Sequence, residues 1–238
     1  MTSGYRAPVA HRRKDFSQRA HRRLIGVLGL LLPLLLYVVA GLRPTPPLSR
    51  WAVLPSISAY QYTGALSILV GVLFALSLLL FTYQGYEGVI ADRVVGFVGG
   101  VGALGSALFP PDPPDGATRI PWWNGTLGVI HYVSTVVLFV AFILFSLWLF
   151  RKSSIPERSM RPPDKRRRDA VYLACGVVMI VAVLWAASSV VTHAPEFVPE
   201  VIAIEAFAIS WLVKGEAHQG VLAALRKIRA KAARAEGA

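Results

Sequence analysis

Six long apolar stretches divide this chain, and that pattern constrains the fold more than any motif does. They fall near Leu24–Leu42, Gln61–Tyr83, Val94–Phe109, Leu127–Phe150, Ala170–Val191 and Val198–Val213, the third and sixth being the shortest. Each has the length of a helix that crosses a hydrocarbon core about 30 Å thick. The expected fold is all-α: a polytopic membrane protein built as a six-transmembrane-helix bundle.

Charge orients that bundle. Of the 25 Lys and Arg residues, all but Arg43, Arg50 and Arg119 lie before the first stretch, in the second and fourth connections, or after the last. Cytoplasmic flanks carry the excess of Lys and Arg, so both termini are expected on the cytoplasmic side, as an even number of spans requires. The expected location is a cytoplasmic membrane, crossed several times. The net charge of +12 is thereby absorbed by topology, and no nucleic-acid partner is expected.

A hydrophobic content of 55% and a mean hydropathy of +0.54 leave no surplus polar surface to clothe a water-soluble core. Three regions are expected: a basic N-terminal segment 1–23, a membrane domain 24–213, and a basic amphipathic tail 214–238. The first apolar run is read as a retained anchor rather than a cleaved signal, because it is uninterrupted for about 19 residues. Cys175 is the single cysteine, which excludes an intramolecular disulfide and a cysteine metal cluster. No cofactor is expected.

Two connections on the side opposite the basic flanks are proline-rich, Pro44-Thr45-Pro46-Pro47 and Pro110-Pro111-Asp112-Pro113-Pro114. Proline fixes the backbone and removes donors, so the chain should leave the membrane abruptly there. Trp51, Trp122 and Trp123 follow as interfacial anchors. The third stretch contains Gly96, Gly99, Gly100, Gly102 and Gly105, which expose backbone and predict close helix packing. Its embedded GxGxxG lacks the strand, turn and acidic residue of a dinucleotide site.

The fourth connection holds Lys165-Arg166-Arg167-Arg168, a topology signal that also suits contact with anionic lipid. From Val221 onward, apolar residues at helical spacing among Lys and Arg predict a surface-lying helix. On the same side, Asp92 and Arg93 are read as a pair or a helix start, beside the interfacial Tyr83, Tyr86 and Glu87.

Ionisable residues inside a bilayer are costly, so each needs a reason. Two stand out, His131 and Glu205, both in the half of the membrane away from the basic flanks. Ser56, Ser58, Tyr60 and Tyr62 enter the second stretch at similar depth. Together these six are the candidate lining of an outward-facing polar pocket, with His131 and Glu205 sharing a proton or binding a ligand. The competing reading makes His131 and Glu205 hydrogen-bonding staples between helices. His131, His193 and Glu205 form a metal set only if three helices align, and no GxSxG elbow accompanies Ser56 or Ser58.

The strings Leu54-Pro55-Ser56-Ile57-Ser58-Ala59-Tyr60-Gln61-Tyr62-Thr63-Gly64, Tyr83-Gln84-Gly85-Tyr86, His131-Tyr132, Glu205 and Ser210-Trp211-Leu212-Val213-Lys214-Gly215 carry a resemblance. Over about Leu54 to Glu216 the chain resembles a group of small bacterial multi-span membrane proteins with no assigned activity. Where that group has an Arg-Asp pair after Thr-Gly, this chain has Leu66-Ser67, so any chemistry of the pair is not implied here.

Three functions remain open from sequence. One is binding or handling of a lipid or small apolar ligand in the pocket. The second is a membrane-embedded hydrolase or transferase using His131 and Glu205. The third is a structural or assembly role, with another membrane protein or a second copy as partner.

Overall fold

The computed structural model describes residues 9–85, 90–153 and 158–216, and these form helices without a strand. The α-helices are α1 (Val9–Leu42), α2 (Leu66–Phe81), α3 (Ile90–Leu108), α4 (Gly125–Leu144), α5 (Pro163–Thr192) and α6 (Phe197–Lys214). A 3-10 segment, Ser58–Tyr62, precedes α2, and a π segment, Phe145–Leu149, continues α4. The tail from Val221, and Tyr86 with Glu87, lie outside the described residues.

Local chemistry sets several boundaries. Asn124 caps α4 by accepting the Leu127 amide at 3.2 Å, and Pro163 opens α5, where its missing N–H costs nothing. His193 ends α5 in the left-handed region at φ 54°. The expected second span is interrupted: Thr63 is extended at φ −123°, ψ 176°, so the turn Ser58–Tyr62 and the helix Leu66–Phe81 are separate elements. The turn continues through Gly64, where the chains approach closely: a Cβ there would lie 2.5 Å from the Arg43 carbonyl oxygen. The basic residues from Arg12 to Arg23 and the apolar run after them form one continuous helix, which also contains Pro33.

Four helical stretches are long and apolar enough to cross a membrane: Ser17–Leu42, Ile90–Leu108, Gly125–Leu149 and Pro163–Ser189. The remaining two fall short for different reasons. α2 is apolar throughout but has 16 residues, about 24 Å at 1.5 Å each. α6 has 18 residues and carries Glu200, Glu205 and Lys214. Large apolar side chains exposed along all six helices, among them Leu34, Phe74, Phe97, Val133, Leu184 and Val198, are the surface a lipid environment would cover. This is a multi-pass helical membrane protein.

The helices close into a ring. α1 packs on α2 and α6, α3 on α2 and α4, and α5 on α4 and α6. Consecutive helices run antiparallel, because their connected ends meet at opposite poles. At the basic pole, Arg23 donates to the carbonyls of Gly215 and Glu216, and Arg19 and Arg168 pair with Glu216 at 3.1 and 3.2 Å. At the other pole, the amides of Glu196 and Phe197 donate to the Pro55 carbonyl at 2.6 and 2.7 Å, and Tyr62 donates its hydroxyl to the Pro111 carbonyl at 2.7 Å.

The tightest seams run along α3, whose two glycine faces serve two neighbours. A Cβ on Gly96 would lie 2.8 Å from the Leu80 carbonyl oxygen, and one on Gly100 2.6 Å from the Phe81 ring, both on the α2 side. A Cβ on Gly99 would lie 2.9 Å from that of Ala141, and one on Gly102 2.8 Å from the Leu138 nitrogen and the Ser134 oxygen of α4. Close backbone approach adds dispersion contacts where lipid supplies no hydrophobic drive between helices.

Candidate functional site

The centre of the ring is not filled. A cavity runs along the helix axes between α1, α2, α3, α4 and α6, lined at one end by polar side chains: Ser58, Ser106, His131, Thr135 and Glu200. Its walls are apolar, from Leu69, Leu73 and Leu76 of α2 to Leu138 of α4 and Ile204 of α6. Its space totals about 610 Å3, open volume at the mouth included, but a water-sized sphere can be centred in only about 60 Å3 of it. The void is therefore a slot rather than a chamber. From His131 to Phe142 it follows eleven residues of α4, about 16 Å.

Aromatic rings close it at the bottom. Phe142 and Phe207, both lining residues, stack with centroids 3.5 Å apart. Below them Tyr83, Phe145 and Trp211 pack edge to face with centroids 5.0 to 5.4 Å apart, and Phe150 joins the group 5.0 Å from Trp211. The slot accordingly has its polar groups toward the proline-rich pole and a sealed end toward the basic pole.

His131 is 1% exposed, and its Nδ1 lies 2.7 Å from the Phe109 carbonyl oxygen. A carbonyl only accepts, so Nδ1 carries the hydrogen and Nε2 is the acceptor whenever the ring is neutral. Ser106 hydrogen-bonds Thr135 through their hydroxyls at 3.0 Å and donates to the Gly102 carbonyl. Glu200 accepts the Ile57 amide at 2.5 Å, which ties the segment before α2 to the first turn of α6. At the pole itself the neighbouring Glu196 is half-buried, and burial pushes its carboxyl above the usual carboxylate range.

Of the residues expected to form a pocket, His131 and Ser58 line this one. Glu205 does not. The face of α6 toward the slot is Glu200, Ile204 and Phe207, spaced i, i+4, i+7, and Glu205 lies roughly 100° round the helix from Ile204. The cavity's carboxylate is Glu200, a residue the reading of the sequence did not include. Ser56 instead accepts the Ala59 amide at 3.0 Å and contacts the Ser58 hydroxyl at 3.1 Å, capping the 3-10 turn. Tyr60 is fully buried with its ring 6.0 Å from Phe197, and Tyr62 is spent on Pro111.

Other expected groups are distributed differently. His193 is exposed at the end of α5, and among the described residues no group of three His, Cys, Asp or Glu side chains is arranged to hold a metal. The basic run Lys165–Arg168 lies in the first turns of α5 rather than in a loop. Helical spacing divides it: Lys165 binds Asp169 and the Phe150 carbonyl, and Arg168 binds Glu216, whereas Arg166 and Arg167 are exposed. Asp92 is 1% exposed and faces Lys152 at 3.7 Å rather than Arg93.

A family model described as a protein of unknown function, DUF998, matches residues 57–212, and the chain belongs to that family. The match begins at the Ile57 amide held by Glu200 and ends one residue after Trp211, so it spans every cavity-lining element except α1. No curated protein and no solved structure matches the chain.

Proposed function

We propose that this DUF998 protein crosses a bacterial cytoplasmic membrane six times with both termini inside, and that it holds the chain of a lipid or small amphiphile in the central slot. The observation that carries the reading is the slot itself, an elongated space whose accessible surface is almost wholly apolar, bordered by the residues Ser58, His131, Thr135 and Glu200 at one end and by the stacked Phe142 and Phe207 at the other. An apolar chain fits a narrow apolar slot, and the polar end of an amphiphile would lie at the end bordered by His131 and Glu200. In this reading α2 and α6 complete the set of spans. α2 reaches its full depth with the protein-covered turn Ser58–Tyr62, and the carboxyl of Glu200 faces protein rather than lipid.

Native mass spectrometry of gently extracted protein tests this. A bound amphiphile is expected on the wild type and on Glu205→Gln, and its loss on Ile204→Trp, which fills the slot with an indole. Ligand-free spectra for the wild type, or equal retention by Ile204→Trp, would overturn the reading.

A further inference from the structure

A second cavity lies at the basic pole, between the start of the apolar part of α1 and the turn that follows α2. It is lined by Ser17, Gln18, His21 and Arg22 from α1 and by Thr82, Tyr83, Gln84 and Gly85 from the turn. The central slot is narrow; this cavity is not, with about 260 Å3 in which a water-sized sphere can be centred. Among the described residues no carboxylate lines it, and most of its side chains carry hydrogen-bond donors.

The arginines of α1 explain why Arg22 is the one left for it. Arg19 and Arg23 are committed to the end of α6, the first by its ion pair with Glu216 and the second by its bonds to the carbonyls of Gly215 and Glu216. Arg22 points instead toward Tyr83. Its guanidinium carbon sits 5.9 Å from the Tyr83 ring centre, and its contact with Gln18 is a long one at 3.5 Å. Its Nε is buried without a hydrogen-bond partner among the described residues. Beside it, His21 uses Nε2 to donate to the Leu79 carbonyl at 2.7 Å, which leaves Nδ1 uncommitted.

We infer that this cavity is a phosphate-binding site, with Arg22 as its fixed charge and Gln18, Gln84, Ser17 and His21 as the surrounding hydrogen-bonding groups. A guanidinium matches phosphate oxygens in two-point geometry, and such charge-assisted bonds are the strong ones. The level is right for the ligand. His21 and Arg22 lie within one turn of Leu24, where the apolar run of α1 begins, so the cavity lies where phosphate groups of a leaflet are found and on the pole whose basic residues draw anions. The ligand's phosphate belongs either to a lipid headgroup or to a free anion. This site is separate from the central slot and does not rest on the slot having an occupant.

The test uses the full chain in phosphatidylcholine nanodiscs, with and without phosphatidylglycerol, and compares wild type, Arg22→Gln and Arg22→Lys. For a headgroup, native mass spectrometry should find phosphatidylglycerol retained over phosphatidylcholine by the wild type, at least tenfold less by Arg22→Gln, and in part by Arg22→Lys. For a free anion, inorganic phosphate at constant ionic strength should raise the melting temperature in pure phosphatidylcholine, and Arg22→Gln should abolish the rise. Arg93→Gln, exposed in the first turn of α3 at the same pole, should change neither readout. Should Arg22→Gln fail to fold, the exposed-turn variant Gln84→Ala is expected to weaken the same binding. Wild type that neither prefers phosphatidylglycerol nor responds to phosphate, or variants indistinguishable from it, would refute the site.

Discussion

Glu200 holds a backbone amide, and that single contact distinguishes it from Glu205 on the same helix. Its carboxylate accepts the Ile57 N–H at 2.5 Å, within a junction where the Glu196 and Phe197 amides also reach back to Pro55. Removing the acceptor leaves a buried donor unsatisfied, which costs about 1–3 kcal/mol. Glu200→Ala should therefore lower thermal stability clearly, and Glu205→Ala, which forms no such bond among the described residues, should change it little. A larger loss for Glu205→Ala in a thermal melt would contradict the assignment. The sequence contains both carboxylates, but depth alone ranked Glu205 higher. What depth cannot say is which way a residue faces, and here a turn of roughly 100° from Ile204 removes Glu205 from the slot.

Among the elements, α3 is the one whose composition dictates its role. Five glycines within ten residues leave backbone against both neighbours, and substitution should be punished according to what the new atoms meet. At Gly102 they would meet the backbone of α4 at 2.8 Å, which has nowhere to go; at Gly100 they would meet the edge of the Phe81 ring, a side chain. Gly102→Val should destabilise the protein by about 1–3 kcal/mol, the range of overpacked cores, and more than Gly100→Ala does. Unfolding in a denaturing detergent series measures both, and equal losses would mean that α4 yields. The glycines were legible as packing residues from their spacing. Their division between α2 and α4 was not, because it depends on which helices flank α3 in the ring.

At the scale of the molecule, six helices form a ring, and five of them border a slot closed by aromatic rings at the basic pole and bordered by Ser58, His131, Thr135 and Glu200 at the other. Orientation in the membrane is the property on which the proposed function depends. In a Cys175→Ser background, Asp115→Cys between α3 and α4 is expected to react with a membrane-impermeant maleimide in intact cells. Asp164→Cys at the start of α5 should react only after permeabilisation. The reverse pattern would invert the topology and turn the slot's polar end inward.

The sequence by itself determined that this chain is a multi-pass helical membrane protein with its charge gathered at alternate connections. Those properties are sums over neighbouring residues: apolar length sets what can cross a bilayer, and Lys and Arg near span ends set sidedness. It also placed His131 at a polar level, since helix rise converts position into depth. Only the tertiary structure decided that Glu200 rather than Glu205 faces the slot, that the second stretch breaks at Thr63, and that Arg19 and Arg23 bond the end of α6 while Arg22 lies over Tyr83. Helices destined for lipid are apolar on nearly every face, so the pattern that fixes rotation in a water-soluble helix is weak here. Rotation is set by packing against partners that are distant in the chain.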